Sequence, residues 1–152
     1  MTKLPDLCVE SIKIPVSDLA VSRSWFARVF DLHEAIEWAD DDGVVRGVAL
    51  AGLGRLLLAL REEPEAAAAT KGFGFLNIGV PDESDLAACA THLESLGIMH
   101  TKVITGAQGR LVGFHDPDGR ELSFYAVTDR GSVRADAMRT ARAAAPPDLV
   151  ST

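Results

Sequence analysis

Residues 114–125, FHDPDGRELSFY, carry the most specific structural signal in the chain. The DPDG segment at 116–119 has the composition of a tight turn, because proline presets φ at its second position and glycine accepts a positive φ after it. The residues on either side, 110–115 and 121–127, contain the apolar and aromatic types that favour strands. The stretch therefore predicts a β-hairpin.

The rest of the second half completes a βαβββ unit around this hairpin. Residues 73–80 predict a strand, and residues 81–95 predict a helix that ends at Gly97. Residues 101–105 predict the first of three further strands, and the hairpin supplies the other two.

The first half has the same order of elements. Residues 9–16 alternate between two faces, which predicts a strand with one buried face. Asp18 then stands at the N-cap position of a helix over residues 19–30, which has apolar side chains at helical spacing. Turn residues separate three further predicted strands, which are residues 33–38, 44–51 and 55–61.

The two units predict an α+β fold of two tandem βαβββ modules, about residues 9–62 and 73–127, within one domain over residues 1–127. Such a repeat is a fold-level signal that outranks any single residue. The connection EEPEAAAATKG at 62–72 fits a linker and a short helix equally well. Residues 128–152 lie outside the repeat and predict a short surface helix followed by a disordered end.

Composition excludes several classes of protein. The chain has 152 residues and a formal net charge of −7, which disfavours binding to the phosphate backbone of nucleic acids. It contains no long apolar run that would span a membrane and no N-terminal signal-peptide pattern, so we expect a cytoplasmic protein. The two cysteines, Cys8 and Cys89, are too far apart in sequence for a cysteine-rich zinc site.

The FHDPDGRELSFY stretch, the two modules and the segment VSDL at 16–19 followed by Trp25-Phe26 resemble the vicinal oxygen chelate superfamily. This group includes glyoxalase I, fosfomycin-resistance enzymes, extradiol dioxygenases and bleomycin-resistance proteins. The resemblance covers about residues 9–127. It implies that each module curls into half of a cup and that the curved mixed sheets of two modules form a ligand-binding cup.

Enzymes of this superfamily hold a divalent metal with His and Glu side chains on four inner strands. The resemblance places the corresponding positions at Ser11, Ala59, Phe75 and Ser123. Two hydroxyl groups and two hydrocarbon side chains do not hold a divalent cation. We therefore expect a member that binds no metal and no other cofactor.

Strand parity through these four positions predicts which side chains face the cup, and Trp38 is added as a candidate ring at its mouth. The predicted ligand-binding residues are Ser11, Lys13, Trp38, Leu57, Ala59, Phe75, Asn77, Gly113, His115, Ser123 and Tyr125. Three of them have a second interpretation: Lys13 as an ion-pair partner of Glu121, His115 as a backbone-bonded neighbour of the turn, and Trp38 as core packing. The other histidines, including His100, are expected on the surface.

Three functions fit these residues. The first is a binding protein that sequesters an aromatic or drug-like small molecule without transforming it. The second is a metal-free lyase or isomerase, with His115, Lys13, Glu121 and Tyr125 as candidate acid–base groups. The third is a degenerate member whose cup is filled by its own side chains. In each case we expect a homodimer with cups formed or completed at the subunit interface, and no nucleic-acid or membrane partner.

Overall fold

The computed structural model describes residues 3–128. It confirms an α+β fold of two repeated modules, each containing a four-stranded mixed sheet. The helix and disordered end expected over residues 128–152 lie outside the described residues, apart from residue 128.

The first module contains five elements: β1 (Ser11–Val16), α1 (Leu19–Phe30), β2 (His33–Ala39), β3 (Val45–Leu53) and β4 (Leu56–Glu62). Its strands lie in the order β1-β4-β3-β2, with β1 parallel to β4 and the other pairs antiparallel. The Asp18 carboxylate accepts a hydrogen bond from the backbone N–H of Val21 at 2.9 Å, so the predicted N-cap of α1 is confirmed.

The connection between the modules contains a short helix, α2 (Pro64–Ala69). Pro64 occupies the first turn, where a missing backbone N–H has no cost, and the alanines after it have high helix propensity. The helical interpretation of residues 62–72 is therefore correct.

The second module repeats the order with β5 (Gly74–Gly79), α3 (Asp85–Ser95), β6 (Ile104–Gly106), β7 (Gly109–His115) and β8 (Glu121–Val127), in the sheet order β5-β8-β7-β6. The predicted hairpin is confirmed, with Gly119 at φ 78° and its N–H bonded to the Asp116 carbonyl at 3.0 Å. Helix α3 begins later than expected, because the Asp85 carboxylate accepts the backbone N–H of Asp82 in a preceding turn.

The strand expected over residues 101–105 is shorter than predicted. The Thr101 hydroxyl accepts the backbone N–H of Gly113 at 3.0 Å, in the place where a neighbouring strand would offer its carbonyl. The regular ladder with β7 therefore begins only at Ile104.

The two modules share one hydrophobic core. Trp25 and Phe30 of α1 contact rings of the second sheet, with the Phe30 centroid 6.1 Å from Phe114 and 5.7 Å from Phe124. Alternate strand residues therefore face this core, and the residues between them form a second face on each sheet, which we call the open face. No helix within residues 3–128 is long and apolar enough to cross a membrane.

Candidate functional site

The open face of the second sheet lines a cavity of about 450 Å³. Strand register brings its side chains together, because Ser123 lies opposite both Asn77 and Gly113, and His115 lies opposite Glu121. These five residues were predicted from parity or as acid–base candidates, and all of them line the cavity.

Ser123 is one of the four positions that the sequence resemblance predicted for metal ligands. Its buried hydroxyl donates a hydrogen bond of 2.6 Å to the side-chain carbonyl of Asn77. The Ser123 hydroxyl hydrogen is therefore used in a bond to the neighbouring strand β5. The amide N–H groups of Asn77 have no partner among the described residues and are available to a ligand in the cavity.

Sequence reasoning missed the apolar wall of this cavity and one of its histidines. Residues 99–103 fold back along β7, so Met99, His100 and Thr101 line the cavity together with Ile104 and Leu111. The expectation of a surface position for His100 is wrong, since its side chain is only 15% exposed. Its Nδ1 bonds the Thr101 carbonyl at 2.8 Å, and its Nε2 lies 3.4 Å from the Glu94 carboxylate. His100 lies in a loop and has no strand parity, so no sequence signal predicted its placement, whereas Leu111 shares the parity of Gly113 in β7 and could have been predicted.

Tyr125 shares this open face but is not among the residues that line the cavity. Its hydroxyl accepts the backbone N–H of Gln108 at 2.9 Å, which ties β8 to the β6–β7 turn. The Tyr125 hydroxyl therefore bonds the backbone and does not share the cavity of His115 and Glu121, the other candidate acid–base groups.

Phe75 lies apart from the cavity because β5 contains a bulge. The register shifts between Gly74 and Leu76, so Phe75 is an extra residue opposite the bonded pairs on β8. Its ring packs beside the core, with the Arg120 guanidinium 5.2 Å from its centroid. Strand parity predicted that the Phe75 side chain faces the cup. The bulge shifts the parity at this residue, so the prediction fails.

The open face of the first sheet lines a second cavity, of about 390 Å³. Lys13, Trp38 and Arg61 surround it, together with Pro15, Glu63 and Ala66. Ser11, Leu57 and Ala59 share this face by register with Lys13 but do not line the cavity. Lys13 and Glu121 lie in different modules and line different cavities. The ion pair predicted as an alternative for Lys13 is therefore absent among the described residues.

A network of arginine and aspartate side chains borders this second cavity. Asp40 lies 2.7 Å from Arg61 and 3.1 Å from Arg46, and hydrogen bonds from Arg61 and then Arg46 lower the pKa of its carboxyl group. Asp42 accepts two hydrogen bonds from the Arg46 guanidinium, and these lower its pKa to about 2. The carboxylates stay charged over the physiological range and hold Arg61 at the edge of the cavity.

The side chains at the four positions predicted for metal ligands do not fit a divalent cation. Ser11 and Ala59 lie on the first open face, Ser123 is hydrogen-bonded on the second, and Phe75 packs beside the core. Within residues 3–128, no group of three or more His, Cys, Asp or Glu side chains has an arrangement that would hold a metal ion. Imidazole, carboxylate or thiolate ligands are what such ions require.

Two tandem βαβββ modules, each with an open sheet face that lines a cavity, define the fold class of the chain, and the sequence agrees with the fold. The profile of the Glyoxalase/Bleomycin resistance protein/Dioxygenase superfamily matches residues 9–124. Because this match covers most of the chain, the chain belongs to that superfamily. A comparison with curated proteins found no match.

Solved structures with this fold are distant in sequence. Lactoylglutathione lyase from Agrobacterium tumefaciens is 18% identical, with a TM-score of 0.66 over 84% of this chain and 98% of that chain. TnmS3, an antibiotic binding protein from Streptomyces sp. CB03234, is also 18% identical, with a TM-score of 0.66 over 83% of this chain and 100% of that chain. The fosfomycin resistance protein FosX from Listeria monocytogenes is 15% identical, with a TM-score of 0.61 over 83% and 96%. At these identities the similarity shows the fold alone.

Proposed function

We propose that the chain is a metal-independent small-molecule-binding protein that sequesters an aromatic or drug-like natural product in the cytoplasm. The observation that carries the proposal is the cavity of the second module. Its walls combine apolar side chains with a few polar groups, and the Ser123 hydroxyl is hydrogen-bonded to Asn77 where superfamily enzymes place a metal ligand.

The chemistry of the cavity supports binding of a mid-sized organic molecule. Met99, Ile104 and Leu111 offer apolar surface, and Met99 adapts its shape easily to a planar or irregular partner. The amide of Asn77 offers hydrogen-bond donors at the floor. Among proteins with this fold, TnmS3 is described as an antibiotic binding protein.

The same observations favour a homodimer. The open faces line separate cavities within one chain, and both carry exposed apolar side chains, including Ile36, Met99 and Ile104. A second copy that places its first open face over the cavity of the second module would complete a cup and bury these side chains. Two equivalent cups would then form per dimer.

Native mass spectrometry of the purified protein against a panel of aromatic natural products tests the proposal, with metal analysis on the same sample. We expect at least one panel member to bind unchanged, and metal content well below one ion per chain. One tightly bound zinc, nickel or iron per chain, lost when Ser11 and Ser123 are both replaced by alanine, would contradict metal independence.

A metal-free lyase or isomerase is the second candidate, supported by the opposition of His115 and Glu121 across β7 and β8 in one cavity. Two titratable groups on neighbouring strands are an arrangement that acid–base catalysis uses. Lys13 lines the other cavity, so it would act with them only across the subunit interface of the proposed dimer. Conversion of a bound compound by the wild type, but not by His115→Gln, would favour this candidate over sequestration.

A further inference from the structure

The open face of the first sheet forms a trough with a floor of small residues. Register places Ala49 of β3 opposite Ala59 of β4, with Gly47 two residues before Ala49 on the same face, and all three are buried. Trp38 and Ile36 stand on one side of this floor, on β2, and Lys13 stands on the other side, on β1. The trough is therefore deepest in the middle and has an aromatic wall opposite a basic one.

The sequence holds the Trp38 ring against this floor. Trp38 lies opposite Gly47 in the register, and a Cβ added at Gly47 would collide with the indole ring. The ring rests where a side chain would otherwise stand, and it remains only partly buried. A partly exposed indole held against the floor of the trough is suited to stack on a planar ring.

Among the described residues, Lys13 carries the unpaired charge at the trough and favours an anion, because Glu63 lies 3.7 Å from the Arg61 guanidinium. Two of the three charged side chains that line the cavity, Lys13 and Arg61, are basic, and Glu63 is acidic. Arg61 is already paired with Asp40 at 2.7 Å. Lys13 is exposed and has no hydrogen bond or ion pair to any described residue, so its ammonium group is free to bind a ligand.

We propose that the trough binds a planar aromatic acid, with the ring stacked on Trp38 and the carboxylate paired with Lys13. This inference rests on the proposed small-molecule binding and names the chemical class of the ligand. It also gives the first module a recognition role that differs from that of the largely apolar cavity in the second module. An ammonium–carboxylate contact is charge-assisted and weakens with salt.

The test compares two probes of equal shape, 2-naphthoate and the neutral 2-naphthamide, by calorimetry and by NMR of the tryptophan indole N–H groups. The chain has two tryptophans. Trp25 packs against Phe26 and Phe30 in the core, so it serves as an internal control for Trp38. We expect 2-naphthoate to bind about tenfold more tightly than 2-naphthamide, as one charge-assisted contact provides. The Trp38 signal should move and the Trp25 signal should stay.

Two variants separate the charge from general effects. Lys13→Gln should reduce 2-naphthoate affinity to that of 2-naphthamide, and Lys71→Gln, at an exposed lysine outside the cavity, should change neither affinity. Equal affinities for the two probes, or binding that leaves the Trp38 signal in place, would overturn the acid-binding trough while small-molecule binding stands. Failure of both probes to bind would overturn the trough, and the proposed function would fail only if the panel compounds also failed to bind in native mass spectrometry.

Discussion

At the scale of single residues, Gly47 determines the shape of the first open face. It is buried opposite Trp38, and it has no positive φ, so its role is to leave space for the indole ring. We predict that Gly47→Ala displaces Trp38 and destabilises the fold by about 1–3 kcal/mol, as overpacking does. Chemical denaturation and near-ultraviolet circular dichroism measure both effects.

Gly74→Ala is the matched control for this substitution. A Cβ at Gly74 would meet Glu121 only at an ordinary distance of 3.6 Å, and Gly74 also has no positive φ. The free energy of unfolding of the Gly74→Ala variant should differ little from that of the wild type. Equal stability of the Gly47→Ala variant and the wild type would show that Trp38 can leave the floor without cost.

The Asp42 carboxyl group gives a prediction about pH. Hydrogen bonds from Arg46 lower its pKa from 3.8 to about 2, so the contribution of this pair is fully present above pH 3.8 and is lost as the pH falls through about 2. Carbon-13 NMR titration of Asp42 should show this midpoint. In the Arg46→Met variant the midpoint should return towards the ordinary value, and an unchanged midpoint would contradict the assigned cause.

At the scale of elements, the DPDG turn joins the two modules through buried charges. Arg120 is 2% exposed; its guanidinium pairs with Asp116 at 2.6 Å and donates to the Pro15 carbonyl of the first module. Asp116 also accepts the backbone N–H groups of Asp118 and Arg120. The turn therefore fixes the end of β1 against the start of β8.

Because breaking a buried pair leaves an uncompensated charge, Arg120→Met should destabilise the fold by about 3–5 kcal/mol. The Arg55→Met variant is its control, since the Arg55–Glu10 pair is exposed on both sides and should contribute within about 0.5 kcal/mol. Urea denaturation of both variants gives the comparison. A loss for Arg120→Met no larger than that for Arg55→Met would contradict the stabilising role assigned to the buried pair.

The elements were predictable because their signals are local. The N-cap Asp18, the DPDG turn and the alternation in β1 each determine the local backbone conformation, so element order and most bounds follow from sequence.

The site was only partly predictable. Parity placed Asn77, Gly113, His115 and Ser123 on one face, but it failed for Phe75 at the β5 bulge and gave no information on the loop that contains His100. A bulge and a folded-back loop depend on tertiary packing, which a sequence pattern does not contain.

At the scale of the whole molecule, the position of the shared core determines what a single chain leaves open. Rings of α1 pack against the core side of the second sheet, so the open faces are not covered by the helices that join the strands. Each open face has a cavity and exposed apolar side chains. A monomer would leave both faces in water, which soluble proteins usually avoid.

We therefore predict a homodimer in which an open face of each chain is covered by its partner. Light scattering at micromolar concentration should give twice the chain mass of 16.2 kDa. Ile36→Glu should convert the dimer to a monomer, because it places a charge on the first open face, where Ile36 is 55% exposed. Val21→Glu is the control: Val21 is 53% exposed on α1, away from the open faces, so the dimer should persist. A monomeric wild type would contradict the prediction. If Val21→Glu also dissociated the dimer, the interface would not be restricted to the open face. A stable interface buries about 1,600 Å² in total, so a surface charge outside it should be tolerated.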